Sequence, residues 1–335
     1  MAESKSIEVL MREYFDNPGS RRPGVGKLED YALKMAKIQG RVPPSAGKKG
    51  IYVFMGDHGI AEEDVSASPP DAARTLALQI LRGDAGLNAV AAGAAWEITV
   101  VDAGISGGLP EGVEQNAPSR LFRTNSAPGR NFVKGPALTD GELEAALGRG
   151  EELAKDAAGR GYYLTAVGES GAGSGVSAAA MLIAAGFVPG DMINRDADID
   201  DARFSRVQRL ITEAVAARNC DFLDGEEILK NFGSASLAMT AGFLLGLEDR
   251  GIACVLDGFS ISAAAWAAFL INPRIGKYLF AGHRSRETGH QIMLDHLALE
   301  PVIDLALRSG EGVGAAIGGG IIELACLASG GTKIL

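Results

Sequence analysis

The chain has few of the residues that would staple it or bind metal. Three cysteines, Cys220, Cys254 and Cys326, occur in 335 residues. They lie far apart with no metal-ligand spacing, and Cys254 and Cys326 sit in apolar runs. An odd count of that kind argues against a disulfide framework and reads as free thiols in a reducing cytoplasm. The four histidines, His58, His283, His290 and His296, form no HExxH pair, so no zinc site is expected. Cations are outnumbered: the formal net charge is −10. An acidic chain does not favour nucleic acid or an anionic membrane surface. A bound phosphate would have to be held locally, by backbone N–H groups and one or two cations. No apolar run reaches the roughly 18–20 residues that span a bilayer. The amphipathic start "MAESKSIEVLMREYF" lacks the apolar core of a signal peptide.

What is present is apolar and periodic. Hydrophobic residues make up 47% and charged residues 22%, enough for a sizeable core in one large domain with an appendage, or in two domains. Short β-rich runs alternate with longer helical patterns. "GIYVFMGD" (50–57), "EITVVDAG" (97–104), "GYYLTAVGE" (161–169), "GIACVLDG" (251–258) and "KYLFAG" (277–282) read as buried strands. Helical periodicity covers 71–81, 84–92, 140–157, 175–185, 200–217, 234–245 and 260–269. That alternation predicts an α/β fold, a parallel sheet with helices on both faces. Ligands in such sheets sit outside the carboxyl ends of the strands, where "GDHG", "DAG", "GES" and "DGF" fall. The first 45 residues or so read as helical and then turn through "GRVPPSAGKKG", a candidate boundary. Residues 106–135 are the one long irregular stretch, a length associated with function or mobility.

Several stretches carry candidate chemistry. "GESGAGSGVSAAAM" (168–181) follows a strand and opens a helix. Gly171, Gly173 and Gly175 let the backbone approach a ligand, and a helix start offers free N–H groups. The pattern fits a phosphate cradle or tight strand–helix packing equally well. Glu169, an acid at a strand's carboxyl edge, reads as functional. Asp57 and His58 in "MGDHGI" read as braces for their loop. Asp257 in "VLDGFS" either caps the helix starting near Ser260 or lines the cleft. "AGHRSRETGH" (281–290) is a hydrogen-bonded loop or a ligand contact. "LRSGEGVGAAIGGGI" (307–321) holds one carboxylate, Glu311, among six glycines. Gly310, Gly312 and Gly314 remove side chains that would shield it. A poorly solvated carboxylate is a better base near neutral pH; the alternative is an acid placed early in a helix to suit its dipole. "GVGAAIG" is not a dinucleotide fingerprint, since its spacing is wrong and too few residues follow for a βαβ unit.

In this order, "RPGVGKLEDYALKMAKIQG", "VFMGDHGIAEEDVSASP", "LRGDAGLNAVAAGA", "VVDAGI", "VGESGAG", "VLDGFSISAAA", "GHRSRETGH" and "LRSGEGVGAA" resemble the nicotinate-nucleotide–dimethylbenzimidazole phosphoribosyltransferase family, the CobT enzymes of cobamide (vitamin B12) biosynthesis. The resemblance implies a Rossmann-like α/β domain, residues 46–284 and 301–324. It also implies a small helical region from 1–45, about 285–300 and 325–335. It implies transfer of 5-phosphoribosyl from nicotinate mononucleotide to a lower-ligand base, giving an α-ribotide and nicotinate without a cofactor or metal. Glu311 is then the general base and Glu169 the stabiliser of the ribosyl cation, with Gly171 at the phosphate site and Gly173 and Ser174 beside it. Gly310 and Gly312 make room for a flat base. The enzymes are dimers, so the partner is a second copy or a paralogue.

Three departures mark this chain within that resemblance. The family's "GE(M)GIGNTT" is here "GESGAGSGVS", with Ser174, Gly175 and Val176. The family's phosphate-binding lysine falls near Val207, with Arg206 beside it, after an altered "NRDADIDDARFSRV". The polar Gln of the base pocket falls near Leu76, following Ser68, and a less polar pocket suggests a phenol or purine in place of benzimidazole. The departures leave open an active transferase with altered base choice, a weakly catalytic or non-catalytic subunit of a paralogous heterodimer, and a nucleotide- or base-binding protein without catalysis.

Overall fold

A strand covered on both faces needs apolar residues at every position, because each side chain meets a helix layer. The run from 50 to 55 is built that way, and it lies inside the sheet, between two neighbouring strands. The computed structural model describes residues 5–16, 26–66, 68–193, 201–218, 220–248 and 250–330. Its strands are β1 (Lys48–Met55), β2 (Trp96–Asp102), β3 (Arg120–Arg123), β4 (Tyr162–Ser170), β5 (Ala253–Leu256), β6 (Leu279–His283) and β7 (Pro301–Ile303). They form one seven-stranded sheet in the order β3-β2-β1-β4-β5-β6-β7, every pair parallel. The expected α/β architecture is therefore the one observed. The strand order reverses between β1 and β4, so the ends of those two strands flank the crevice where ligands bind in such sheets.

The helices are α1 (Ile7–Asp16), α2 (Lys27–Gln39), α3 (Ala72–Arg82), α4 (Gly86–Gly93), α5 (Asp140–Gly159), α6 (Ser174–Ala184), α7 (Pro189–Met192), α8 (Asp201–Ala216), α9 (Gly225–Phe232), α10 (Ala235–Gly246), α11 (Phe259–Ile271), α12 (Thr288–His296) and α13 (Val313–Ala328). Alternation along β1 sorts the two layers. Tyr52 and Phe54 join the core under α5, α6, α9, α10 and α11. Ile51, Val53 and Met55 join the core under α3, α4 and α13. The start of α5 is readable from "TDGE": the Thr139 hydroxyl accepts from the Glu142 N–H, and Glu142 accepts from the Thr139 N–H.

Two strands escape the sequence reading. β3 lies inside 106–135, read as irregular; it pairs with β2 from Thr99↔Arg120 to Asp102↔Arg123. It is an edge strand with charged ends, so its pattern lacks an apolar face. β7 is three residues long and begins with proline, which an edge strand tolerates. The short helix α9 is also unforeseen. Met11, Ala32, Ala36 and Ala325 form a separate small core joining α1 and α2 to the end of α13. Residues 285–300, expected with that region, reach it through a Lys27–Glu300 ion pair, while α12 packs on α7 and α11. Asp196, Asp198 and Asp200 lie outside the described residues, as does the 331–335 end of the chain.

Candidate active site

β1 ends at Met55 and is followed by Gly56-Asp57-His58, and β4 ends at Glu169 and Ser170. Parallel pairing of Phe54 with Glu169 brings the two ends together. The Asp57 carboxylate accepts from the Ser106 N–H at 2.8 Å and the Ala172 N–H at 3.4 Å, so Asp57 braces loops, as expected. His58 does more than brace. Its Nε2 lies 2.9 Å from Glu169 Oε1, with both side chains buried. Glu169 Oε1 also accepts from the Ser236 hydroxyl at 2.9 Å. Glu169 Oε2 accepts from the Ser174 hydroxyl, which in turn lies 2.8 Å from Ser260 Oγ.

A cavity of about 270 Å³ opens over this corner. Its polar side carries Glu169, Ser170, Ser174, Ser260, Ser285 and Ser309; its apolar side carries Val65, Val176, Phe204, Val207, Ile211 and Ile261. Ser309 Oγ is buried and lacks a hydrogen-bond partner in the protein. Ser68 reaches the rim. α8 is tied over the cavity by Arg203, whose guanidinium donates to the Asp64 carboxylate and to the Asp64 and Ser66 carbonyls.

The glycines divide by role. A Cβ on Gly171 would stand 1.7 Å from the Gly56 carbonyl oxygen, so Gly171 is required for packing of the β4 end on the β1 end. Gly173 caps α6 with φ +84°, in the left-handed region. Gly175 alone of the three faces open space. Both Gly171 and Gly173 border the cavity by their backbone.

The glutamate-bearing loop docks on the same corner. The Gly310 carbonyl accepts from the Glu169 N–H at 3.0 Å. Gly168 allows that approach: a Cβ there would stand 2.4 Å from the Gly312 nitrogen and 2.5 Å from the Glu311 carbonyl carbon. Gly312, at φ +97°, turns the chain into α13. Glu311 is thus half-buried beside Gly310, which lines the cavity mouth with Arg308.

Five expected contacts are off the cavity wall: Glu311 and Gly312, which follow Gly310 just beyond it, and Asp257, Arg206 and Leu76. Asp257 is fully buried and off the cavity wall. Its carboxylate accepts from the Gly312 N–H at 3.1 Å and the Ala315 N–H at 2.9 Å, so it caps α13 and neither lines the cleft nor caps the helix near Ser260. Burial pushes its carboxyl up to about 6; His283, 3.5 Å away, and the two N–H groups pull against this, and the Glu311 charge adds to it. Arg206 points to solvent, with Nη2 3.4 Å from Glu63, because its neighbour Val207 takes the cavity-facing position on α8. Leu76 packs on the core under α3, on the other face of the sheet. Among the described residues, Arg308 is the cation on the wall, exposed and three positions before Glu311. Sequence reasoning missed it, although "LRSGEG" places it beside the acid. No helix among the described residues is long and apolar enough to cross a membrane.

A cavity at the switch point of a doubly wound sheet, rich in hydroxyls and lined by the carboxylates of Glu169 and Glu287, defines a small-molecule site of an α/β enzyme. Comparison with known proteins gives the particular one. A family model described as DBI_PRT, phosphoribosyltransferase, matches residues 3–333. The nicotinate-nucleotide–dimethylbenzimidazole phosphoribosyltransferase of Geobacter sulfurreducens is 36% identical over 309 residues, 92% of this chain and 86% of that protein. The enzyme of the same name from Thermus thermophilus is 36% identical over 294 residues, 88% of this chain and 86% of its own length. The crystal structure of CobT from Thermus thermophilus superposes with a TM-score of 0.88 at 33% identity, covering 97% of this chain and 96% of that one. The chain belongs to the nicotinate-nucleotide–dimethylbenzimidazole phosphoribosyltransferase family, an enzyme family of cobamide biosynthesis.

Proposed function

We propose that this chain transfers the 5-phosphoribosyl group of nicotinate mononucleotide to an aromatic base, releasing nicotinate. The observation that carries this is the docking of the Glu311 loop on β4: the Gly310 carbonyl accepts from the Glu169 N–H, both residues line the cavity, and Glu311 follows next in the chain, just off the wall. The base attacks ribose C1 as the C1–nitrogen bond of the pyridinium breaks. The bonding pair stays with nicotinate and cancels its ring charge, so the leaving group needs no proton. The attacking base passes its proton to Glu311. Positive charge gathers at C1 in the transition state, and the Glu169 carboxylate faces it. Attack opposite the leaving group inverts C1 and gives the α-ribotide.

The donor carries two anionic groups. Arg308 supports the reading as the wall cation, with the Ser309 hydroxyl and the open backbone at Gly175 as neutral donors. The apolar side at Val176, Phe204, Val207 and Ile211 suits a flat base. Among the described residues none supplies a cation at Val207, which favours a second reading: a weakly active subunit whose partner is a paralogue. The working unit is taken as a dimer in the cytoplasm, with α1, α2 and the end of α13 as its small helical region.

The purified chain given nicotinate mononucleotide with benzimidazole, phenol or adenine in turn tests both readings. Nicotinate release dependent on one base supports the transferase and identifies its ligand class. Nucleotide binding with no release from any base supports the paralogous pair. Neither binding nor release contradicts both.

A further inference from the structure

The mechanism leaves the buried group behind Glu169 unused. His58 is 2% exposed and does not line the cavity. Its backbone is held on both sides: its N–H donates to the Ala172 carbonyl at 3.1 Å, and the residue bridges to Gly129. The Cβ positions around it leave no slack, since Gly59 packs directly on the Arg130–Asn131 peptide. The ring therefore has one place to be, with Nε2 at Glu169 Oε1 and Nδ1 buried without a partner. An N–H at Nδ1 would be a buried donor with no acceptor, so the proton belongs on Nε2, where the carboxylate accepts it. Ser236 donates to the same oxygen, and Ser234 Oγ lies 2.9 Å behind Ser236 Oγ.

The two oxygens of Glu169 are thus unequal. Oε1 faces a dry wall of His58 and Ser236. Oε2 faces Ser174, which, like Glu169, lines the cavity. We infer that His58 is a positioning residue for the phosphoribosyl transfer: together with Ser236 it pins Oε1 inside the protein and so fixes Oε2 toward the reacting ribose. The inference rests on the proposed function and assigns no contact between His58 and substrate. A carboxylate that must face a developing charge gains from being held before the reaction starts, and a displacement near 1 Å lowers rate by about 100-fold.

The test compares His58→Leu, which removes the donor, with His58→Gln, whose side-chain amide can still donate to Oε1. Steady-state nicotinate release and melting temperature are measured for both and for wild type. His58→Leu is expected to lower kcat about 100-fold with the KM for nicotinate mononucleotide unchanged. His58→Gln should recover kcat to within about tenfold of wild type although its melting temperature falls as well. Adding His58→Leu to Glu169→Gln should lower kcat no further, because the group it positions is already gone. A His58→Leu kcat within about threefold of wild type overturns the inference, as do additive effects with Glu169→Gln. If His58→Leu does not fold, Ser236→Ala decides: a fall in kcat at constant KM supports positioning through Oε1, and an unchanged kcat refutes it. A wild-type chain that releases no nicotinate with any base refutes the proposed function itself, and this inference with it.

Discussion

Substituting Gly168 by alanine tests whether the position of the Glu311 loop controls the chemistry. Gly168 lies in β4, one residue before Glu169. A Cβ there would meet the Gly312 nitrogen at 2.4 Å, the Glu311 carbonyl carbon at 2.5 Å and the Glu311 carbonyl oxygen at 2.8 Å. All three are backbone atoms, so no side-chain rotation relieves the contact. Ordinary van der Waals contact begins near 3.4 Å, so the loop must retreat by about 1 Å or the strand must bend. Overpacking of this kind destabilises by about 1–3 kcal/mol, within what a stable domain tolerates. The catalytic effect is larger: a 1 Å displacement of a positioned group lowers rate about 100-fold. Arg308 and Ser309, the wall residues proposed to hold the donor, directly precede Gly310 on the same loop and move with it. Gly168→Ala is therefore expected to lower kcat about 100-fold and to raise KM for nicotinate mononucleotide by no more than about tenfold, the worth of the Arg308 contact. A continuous assay of nicotinate release, run beside a thermal melt, measures both. A folded variant with wild-type kcat would refute the assignment of catalysis to the loop that carries Glu311.

Two further outcomes follow from the same geometry. Arg308→Ala should raise KM for the anionic donor by about tenfold, the loss of one charge-assisted hydrogen bond worth roughly 1.5 kcal/mol, with kcat little changed; an unaltered KM would move the anion contact to Arg284 or Arg286. His290 is buried, and burial, His283 and Arg284 together depress it to about 3. A histidine depressed in the folded state contributes stability that is present above its unfolded value near 6.5 and is lost as pH falls toward 3. His290→Asn keeps an acceptor for the Ser285 N–H and cannot be protonated. Between pH 6.5 and pH 4 it should lose about 3 kcal/mol less stability than wild type in urea titrations; equal losses would place the acid sensitivity elsewhere.

Much of the fold is legible because the central strands declare themselves. β1 and β4 are apolar through their middles, "GIYVFM" and "YYLTAV", and run into "GDH" and "GES", so both the strand and its carboxyl edge are visible. The two edge strands are hidden for the converse reason: β3 and β7 are short, half-exposed and interrupted by arginine or proline. The cavity wall was legible where a strand end runs into a helix start, as at Glu169, Gly171, Gly173 and Ser174. The site was hidden where contact depends on the closed sheet. His58 and Glu169 are 111 residues apart and meet through the β1–β4 pairing. Asp257 caps a helix 58 residues later in the chain, a partner local capping rules do not reveal. Arg206 and Val207 are adjacent in sequence but about 100° apart around α8, since a helix turns once every 3.6 residues. One of them faces the cavity, and side-chain charge gives no hint which. Leu76 fails for a simpler reason: α3 lies against the opposite face of the sheet.

In the proposed reaction Glu311 accepts the proton of the attacking base. Replacement of Glu311 by glutamine keeps its shape and removes only that capacity. Nicotinate mononucleotide binding by calorimetry and single-turnover nicotinate release are measured on the same preparation, with the base to which wild type responds. Binding within about threefold of wild type, with release slowed by at least about 100-fold, is the expected result. Release at the wild-type rate would show that Glu311 is not the base.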